Sequence, residues 1–128
     1  MYENIVLIVE DSHTVRHEVK LILEKIGVAL VEAANEIGMF NMIEQYGKTV
    51  DLVIMDLTLK NENGMDLIDK LKKNINYQRI PILILTEHAF KDNVLKAKEM
   101  GVVGYLRKPI SKQELVNRVS GILGIEVT

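Results

Sequence analysis

The stretch Val50-Asp51-Leu52-Val53-Ile54-Met55-Asp56 limits what this chain can fold into more than any other. Leu52 to Met55 are apolar in succession, with no alternation between a wet and a dry face. A strand of that kind is buried on both sides, as in a parallel sheet covered by helices. It ends in a carboxylate, and open α/β sheets hold their ligands outside the carboxyl ends of the strands. Asp56 is therefore a candidate reactive group, or else the cap of the turn that follows it.

The rest of the chain repeats one unit, strand then helix, five times. Ile5–Val9 is a β-branched apolar strand that ends at Glu10-Asp11. Ser12 can cap a helix whose stripe is Val15, Val19, Ile22, Leu23 and Ile26, with Gly27 just past its end. Val28–Ala33 is a weaker strand, and its Glu32 suits a sheet edge. Asn35 can cap a second helix, ended by Gly47, with Ile37, Phe40, Ile43 and Met42 as inward residues. After Asp56 a polar loop, Leu57 to Gly64, is long enough to fold over a site. Met65, Leu67, Ile68 and Leu71 begin the third helix, with Lys70, Lys72 and Lys73 near its end, where the helix dipole favours cations. Pro81–Leu85 is the fourth strand and stops at Thr86. The fourth helix spans Lys91–Met100, with Val94, Leu95 and Ala97 as inner-face candidates, and Gly101 closes it. Val103–Leu106 is the fifth strand and leads into Arg107-Lys108-Pro109. Ser111-Lys112-Gln113-Glu114 is a capping box ahead of Leu115, Val119, Ile122 and Leu123.

This alternation predicts one α/β domain over residues 1–128: a doubly wound, five-stranded parallel sheet, (βα)5, with helices on both faces. Right-handed crossovers leave 2-1-3-4-5 as the expected strand order. In that order strands one and three are neighbours, so Glu10 and Asp11 stand beside Asp56. Composition narrows the chemistry. There are no cysteines, which excludes disulfides, thiolate zinc sites and cysteine nucleophiles. A net charge of -2 gives no nucleic-acid footprint. No apolar run approaches the roughly 18 residues that cross a membrane, and the start lacks the pattern of a signal peptide, so a cytoplasmic address is expected.

Three crowded carboxylates repel one another, and a hard divalent cation relieves the repulsion. Mg2+ prefers such oxygens. Asp11 and Asp56 are candidate direct ligands, Glu10 a ligand directly or through water, and the Thr58 backbone carbonyl a further oxygen. A carboxylate held in this way can act as a nucleophile towards phosphorus. Lys108 and Thr86, at the ends of strands five and four, lie on the same edge. The lysine can meet an Asp56 or phosphoryl oxygen, and the threonine hydroxyl can donate to a phosphoryl group.

The set Glu10-Asp11, Asp56, Gly64 eight residues on, Thr86 and Tyr105-Leu106-Arg107-Lys108-Pro109, in this order and spacing, resembles the receiver domain of two-component response regulators, over essentially the whole chain. The resemblance implies a flavodoxin-like receiver fold and a signalling domain rather than an enzyme with external turnover. It implies a phosphoryl group passed to Asp56 from a histidine kinase or phosphotransfer protein with Mg2+ present. It implies a cis bond before Pro109 and a coupled Thr86/Tyr105 switch. That switch would reshape the surface of helix four, strand five and helix five, where an effector binds or a phosphorylation-dependent dimer forms from monomers.

Two positions depart from the family's habit: Lys60 stands where Pro is common, and Glu87 where a small residue usually follows the switch Thr. By the same resemblance, Thr58 and His88 occupy positions that influence phosphate lifetime. Glu87 keeps an alternative open, a phosphorylation-independent receiver-like protein-binding module. A flavin carrier fits poorly, because Glu10-Asp11-Ser12-His13 offers no phosphate-cradling loop. An aspartate-nucleophile phosphatase usually has a second Asp at the position of Thr58.

Overall fold

The computed structural model describes residues 4–87 and 91–127, the side chains of 91–94 excepted. The expected placement of His88 and the inward side chain of Val94 lie outside the described residues. Five strands form the main sheet: β1 (Asn4–Val9), β2 (Val28–Ala33), β3 (Val50–Asp56), β4 (Ile82–Thr86) and β5 (Gly104–Arg107). Between and after them come α1 (His13–Glu24), α2 (Glu36–Tyr46), α3 (Gly64–Lys73), α4 (Lys91–Glu99) and α5 (Lys112–Leu123). The order is β2-β1-β3-β4-β5, and every pairing is parallel.

Both faces of this sheet are dry, as the Leu52–Met55 run requires. Leu7, Val9, Val53, Met55, Ile82 and Ile84 point to one face, against Met39 and Ile43 of α2, Leu67, Ile68 and Leu71 of α3, and Ala97 of α4. The intervening Val6, Ile8, Leu52, Ile54, Leu83 and Leu85 point to the other, against Val19, Ile22 and Leu23 of α1 and Leu115 and Val119 of α5. Each of these Val, Leu, Ile and Met side chains stabilises the fold by about 1.5–3 kcal/mol relative to exposure.

With both faces apolar, alternation alone cannot set the register of β3 against β1. A polar contact helps to set it. Ile5 pairs with Val50 but Val6 with Leu52, so Asp51 is the extra residue of a bulge, and its Oδ2 accepts the Ile5 N–H at 2.9 Å. Val9 is thereby opposite Met55. Glu10, just past the end of β1, and Asp56, the last residue of β3, are thereby set side by side.

Several local expectations hold in detail. Ser12, Asn35 and Ser111 cap their helices by accepting the N–H of Val15, Gly38 and Glu114. Glu32 on the edge strand pairs with Arg16 at 3.1 Å. Others need correction. Ile37 is 72% exposed, while Met39 and Ile43 are fully buried. They lie one helical turn apart, whereas Ile37 sits two residues, about 200°, from Met39. Phe40 and Met42 only flank the core. Leu95 is 50% exposed and Ala97 buried; two residues apart on a helix, they cannot face the same way. β4 begins after Pro81, and β5 begins at Gly104, leaving Val103 outside the strand. The loop after Asp56 holds a small antiparallel hairpin, Thr58–Leu59 against Glu62–Asn63, which the polar sequence did not announce.

Candidate functional site

The sheet register brings the site together. Asp56 pairs with Leu85, so Thr86 is the next residue along β4; Thr86 pairs with Arg107, so Lys108 is the next along β5. The Lys108 N–H donates to the Thr86 carbonyl at 2.8 Å, extending that ladder by one step. Four strand ends thus present Glu10-Asp11, Asp56, Thr86 and Lys108 on one edge.

Glu10 and Asp56 are among the few buried charged residues, at 0% and 1% exposure. The Lys108 ammonium, its side chain 13% exposed, contacts Glu10 Oε1 and lies 3.5 Å from Asp56 Oδ2. Asp56 Oδ1 accepts the Thr58 N–H at 3.0 Å and the Thr58 hydroxyl at 3.3 Å. Glu10 Oε2 accepts the Ser12 N–H at 3.2 Å. Asp11 is exposed, and its Oδ2 accepts the Lys60 N–H at 2.7 Å. The loop after β3 therefore does fold over the site, and it does so through its backbone. A Pro at position 60 could not make this bond, because Pro has no N–H.

The donor set fits a hard divalent ion. Carboxylate oxygens of Glu10, Asp11 and Asp56 lie within 4.8 Å of one another. Mg2+ prefers oxygen donors of this kind, so these three residues would hold it. Three carboxylates against one lysine leave a formal charge of -2. Glu10 Oε1 and Asp56 Oδ2 are buried, and the Lys108 ammonium is the charge that faces them. The electrostatics agree with this picture. Burial, then the hydrogen bond and charge of Asp56, push the Glu10 carboxyl up to about 7, against the pull of Lys108. Burial would also raise Asp11, but the Lys60 N–H, Glu10 and the Lys108 charge outweigh it and hold this carboxyl below its usual value. Burial pulls Lys108 down; its Glu10 hydrogen bond and the charges of Asp56 and Glu10 more than offset that, and its pKa is raised.

The other expected residues have definite places. Thr86 is buried at the end of β4. Tyr105, opposite Ile84 on β5, is 37% exposed. The Lys108–Pro109 bond is cis. Thr58 approaches Asp56 through its N–H and hydroxyl, and its carbonyl stays a candidate ligand. Gly64 has a steric cause: a Cβ there would lie 2.2 Å from the Asp56 carbonyl oxygen and 2.7 Å from Leu57 Cα. Glu87 is exposed and, with Val15, Glu18, Lys108, Pro109 and Ile110, lines a cavity of about 510 Å³ beside the site.

Sequence reading missed Arg16. Its Nη1 donates to the Glu10 carbonyl at 2.6 Å and its Nε to Glu32 at 3.1 Å. The available signal was its place one turn after the Ser12 cap, on the side of the acidic pair, but a charge on a first helical turn usually reads as solvated.

Residues 6–120 match the family model for the response regulator receiver domain. The chain belongs to that family. This receiver domain is 29% identical over 119 residues to the chemotaxis protein CheY1 of Helicobacter pylori, covering 92% of this chain and 95% of that protein. It is 32% identical over 118 residues to the phosphate regulon transcriptional regulatory protein PhoB of Pseudomonas aeruginosa, covering 92% of this chain but only 51% of PhoB. Among solved structures, the Mn2+-bound form of the response regulator Rcp1 superposes with a TM-score of 0.77 at 26% identity, covering 98% of this chain and 96% of that one. No helix among the described residues of this receiver domain is long and apolar enough to cross a membrane.

Proposed function

We propose that residues 1–128 act as one receiver domain that accepts a phosphoryl group on Asp56 from a histidine kinase or phosphotransfer protein, and that this switches the surface of α4, β5 and α5 for an effector or for a second copy. The observation that carries this reading is the cluster of Glu10, Asp11 and Asp56 within 4.8 Å, with the Lys108 ammonium facing its buried members. Glu10, Asp11, Asp56 and the Thr58 carbonyl would hold Mg2+, in keeping with the Mn2+-bound form of the response regulator Rcp1. When bound, the ion supplies neutralisation of the phosphoryl oxygens.

The chain's own groups do the rest. Thr58 orients Asp56 through two donors on Oδ1. An Asp56 oxygen bonds to phosphorus as the donor's P–N bond breaks, and the electron pair leaves on the donor imidazole. Lys108, freed from part of its contact with Asp56, then faces a phosphoryl oxygen, and the Thr86 hydroxyl donates to another. Tyr105, half-exposed in this structure, moves inward as Thr86 is drawn to the phosphoryl group. Glu87 at the rim slows entry of an anion without occupying the cradle. The domain works in the cytoplasm, where its donors are.

Incubation with acetyl phosphate and Mg2+ tests the assignment. Intact mass should increase by one phosphoryl group, the increase should need Mg2+, and Asp56→Asn should abolish it with the fold intact. Equal labelling of the Asn variant would place the acceptor elsewhere.

A further inference from the structure

We propose that Arg16 and Glu32 form a positioning pair that fixes the Glu10 backbone and thereby sets the ion site; this rests on the reading of Glu10, Asp11 and Asp56 as an Mg2+ cradle. Glu10 has left the strand when it reaches the site, yet its main chain is held on both sides. Its N–H donates to the Ala33 carbonyl at 2.9 Å, and its carbonyl accepts from Arg16 Nη1 at 2.6 Å. Arg16 is itself fixed, because its Nε donates to Glu32 Oε1 at 3.1 Å and its side chain is only 14% exposed. Glu32 belongs to β2, paired with Ile8 one step before the strand end.

Glu32, Arg16 and the Glu10 carbonyl thus link the edge strand, the first turn of α1 and the acidic pair. A guanidinium suits this place because its planar fork makes two directed bonds at once, which an ammonium cannot reproduce. The Glu10 side chain is wholly buried with Oε1 towards Lys108. A rotation of its peptide would swing that carboxylate out of register with Asp56. Arg16 contacts the Glu10 carbonyl and Glu32, so it would act on the ion through Glu10.

The test measures Mg2+ affinity from the amide resonances of the acidic pair and of Asp56, well below the melting temperature. Arg16→Met, which keeps an apolar stem, should weaken Mg2+ binding about tenfold, the low end for residues that orient a metal ligand. Glu32→Gln should weaken it about two- to threefold, and Arg16→Lys should recover part of the loss. The double variant should be no weaker than Arg16→Met, since the two act as one unit. An affinity within twofold of wild type in Arg16→Met, or additive losses in the double variant, overturns the pair. If Arg16→Met does not fold, Glu32→Gln decides, and an unchanged affinity there overturns the proposal. Asp11→Asn separates the two readings: if it binds Mg2+ like wild type, the cradle itself is misassigned.

Discussion

Gly64 offers the sharpest test of how the loop is built. Its Cα sits so close to the Asp56–Leu57 backbone that an added methyl carbon would lie 2.2 Å from the Asp56 carbonyl oxygen and 3.0 Å from its carbon. Ordinary contacts begin near 3.4 Å, so the start of α3 must retreat by more than about 1 Å. That movement strains the Gly64 N–H bond to the Leu57 carbonyl, now 3.0 Å. Overpacking of this kind costs about 1–3 kcal/mol, and a lost hydrogen bond adds about 1 kcal/mol. Against this, Ala gains up to about 1 kcal/mol over Gly within a helix, and less at its first residue. The expected net loss is about 2 kcal/mol, or roughly 8 °C in Tm at about 4 °C per kcal/mol. The control is Gly121 in α5, where a Cβ meets nothing within 4 Å. There Ala should stabilise by about 0.5–1 kcal/mol. Thermal and urea unfolding of both variants, read by circular dichroism, gives the comparison. Because the crowded atoms belong to Asp56 and Leu57, Gly64→Ala should also slow labelling by acetyl phosphate. If it stabilises as Gly121→Ala does, the close approach is not real and the steric reasoning fails.

Three further outcomes are expected. With Glu10 raised from 4.5 to about 7, the folded ion-free protein holds one more proton than the unfolded chain between those pH values. Its stability should therefore fall, through this group, as pH rises from 4.5 to 7, and Mg2+ binding at pH 6 should release close to one proton; calorimetry in buffers of different ionisation enthalpy would show none if Glu10 were already ionised. Lys108→Ala should leave Mg2+ binding in place but uncouple labelling from the surface change, seen as effector affinity that does not respond to acetyl phosphate. Lys60→Ala keeps the N–H that holds Asp11 and should leave Mg2+ affinity unchanged, whereas Lys60→Pro removes it and should weaken binding about threefold to tenfold, as for loss of a partly exposed charge-assisted hydrogen bond; equal effects of the two variants would assign the contact to the side chain.

Much of this arrangement is legible in the sequence. The apolar runs ending at Val9 and Met55 marked two strands buried on both faces, and the strand order then forced Glu10, Asp11 and Asp56 together. Thr86 and Lys108 followed because strands four and five stop on the same edge. What was not legible has physical reasons. The α2 segment is apolar at Ile37, Met39, Phe40, Met42 and Ile43, so periodicity could not choose the phase, and packing chose Met39 and Ile43. The hold of Lys60 on Asp11 is made by a backbone N–H, which leaves no mark in residue type. Arg16 went unread because its partner is a carbonyl, and Glu32 reads as an edge residue until the arginine opposite is seen. The bulge at Asp51 also depends on a main-chain donor, Ile5, nearly the whole sheet away from the acids whose register it helps to fix.

The groups of the cradle come from positions 10, 11, 56, 86 and 108, so no short piece of this chain contains it. Whatever binds there binds only the fully folded chain, and occupancy becomes a reporter of global folding. A ligand at ten times its Kd should stabilise the domain by about 1.4 kcal/mol, and any proteolytic cut between β1 and β5 that frees either end should abolish binding and that gain together.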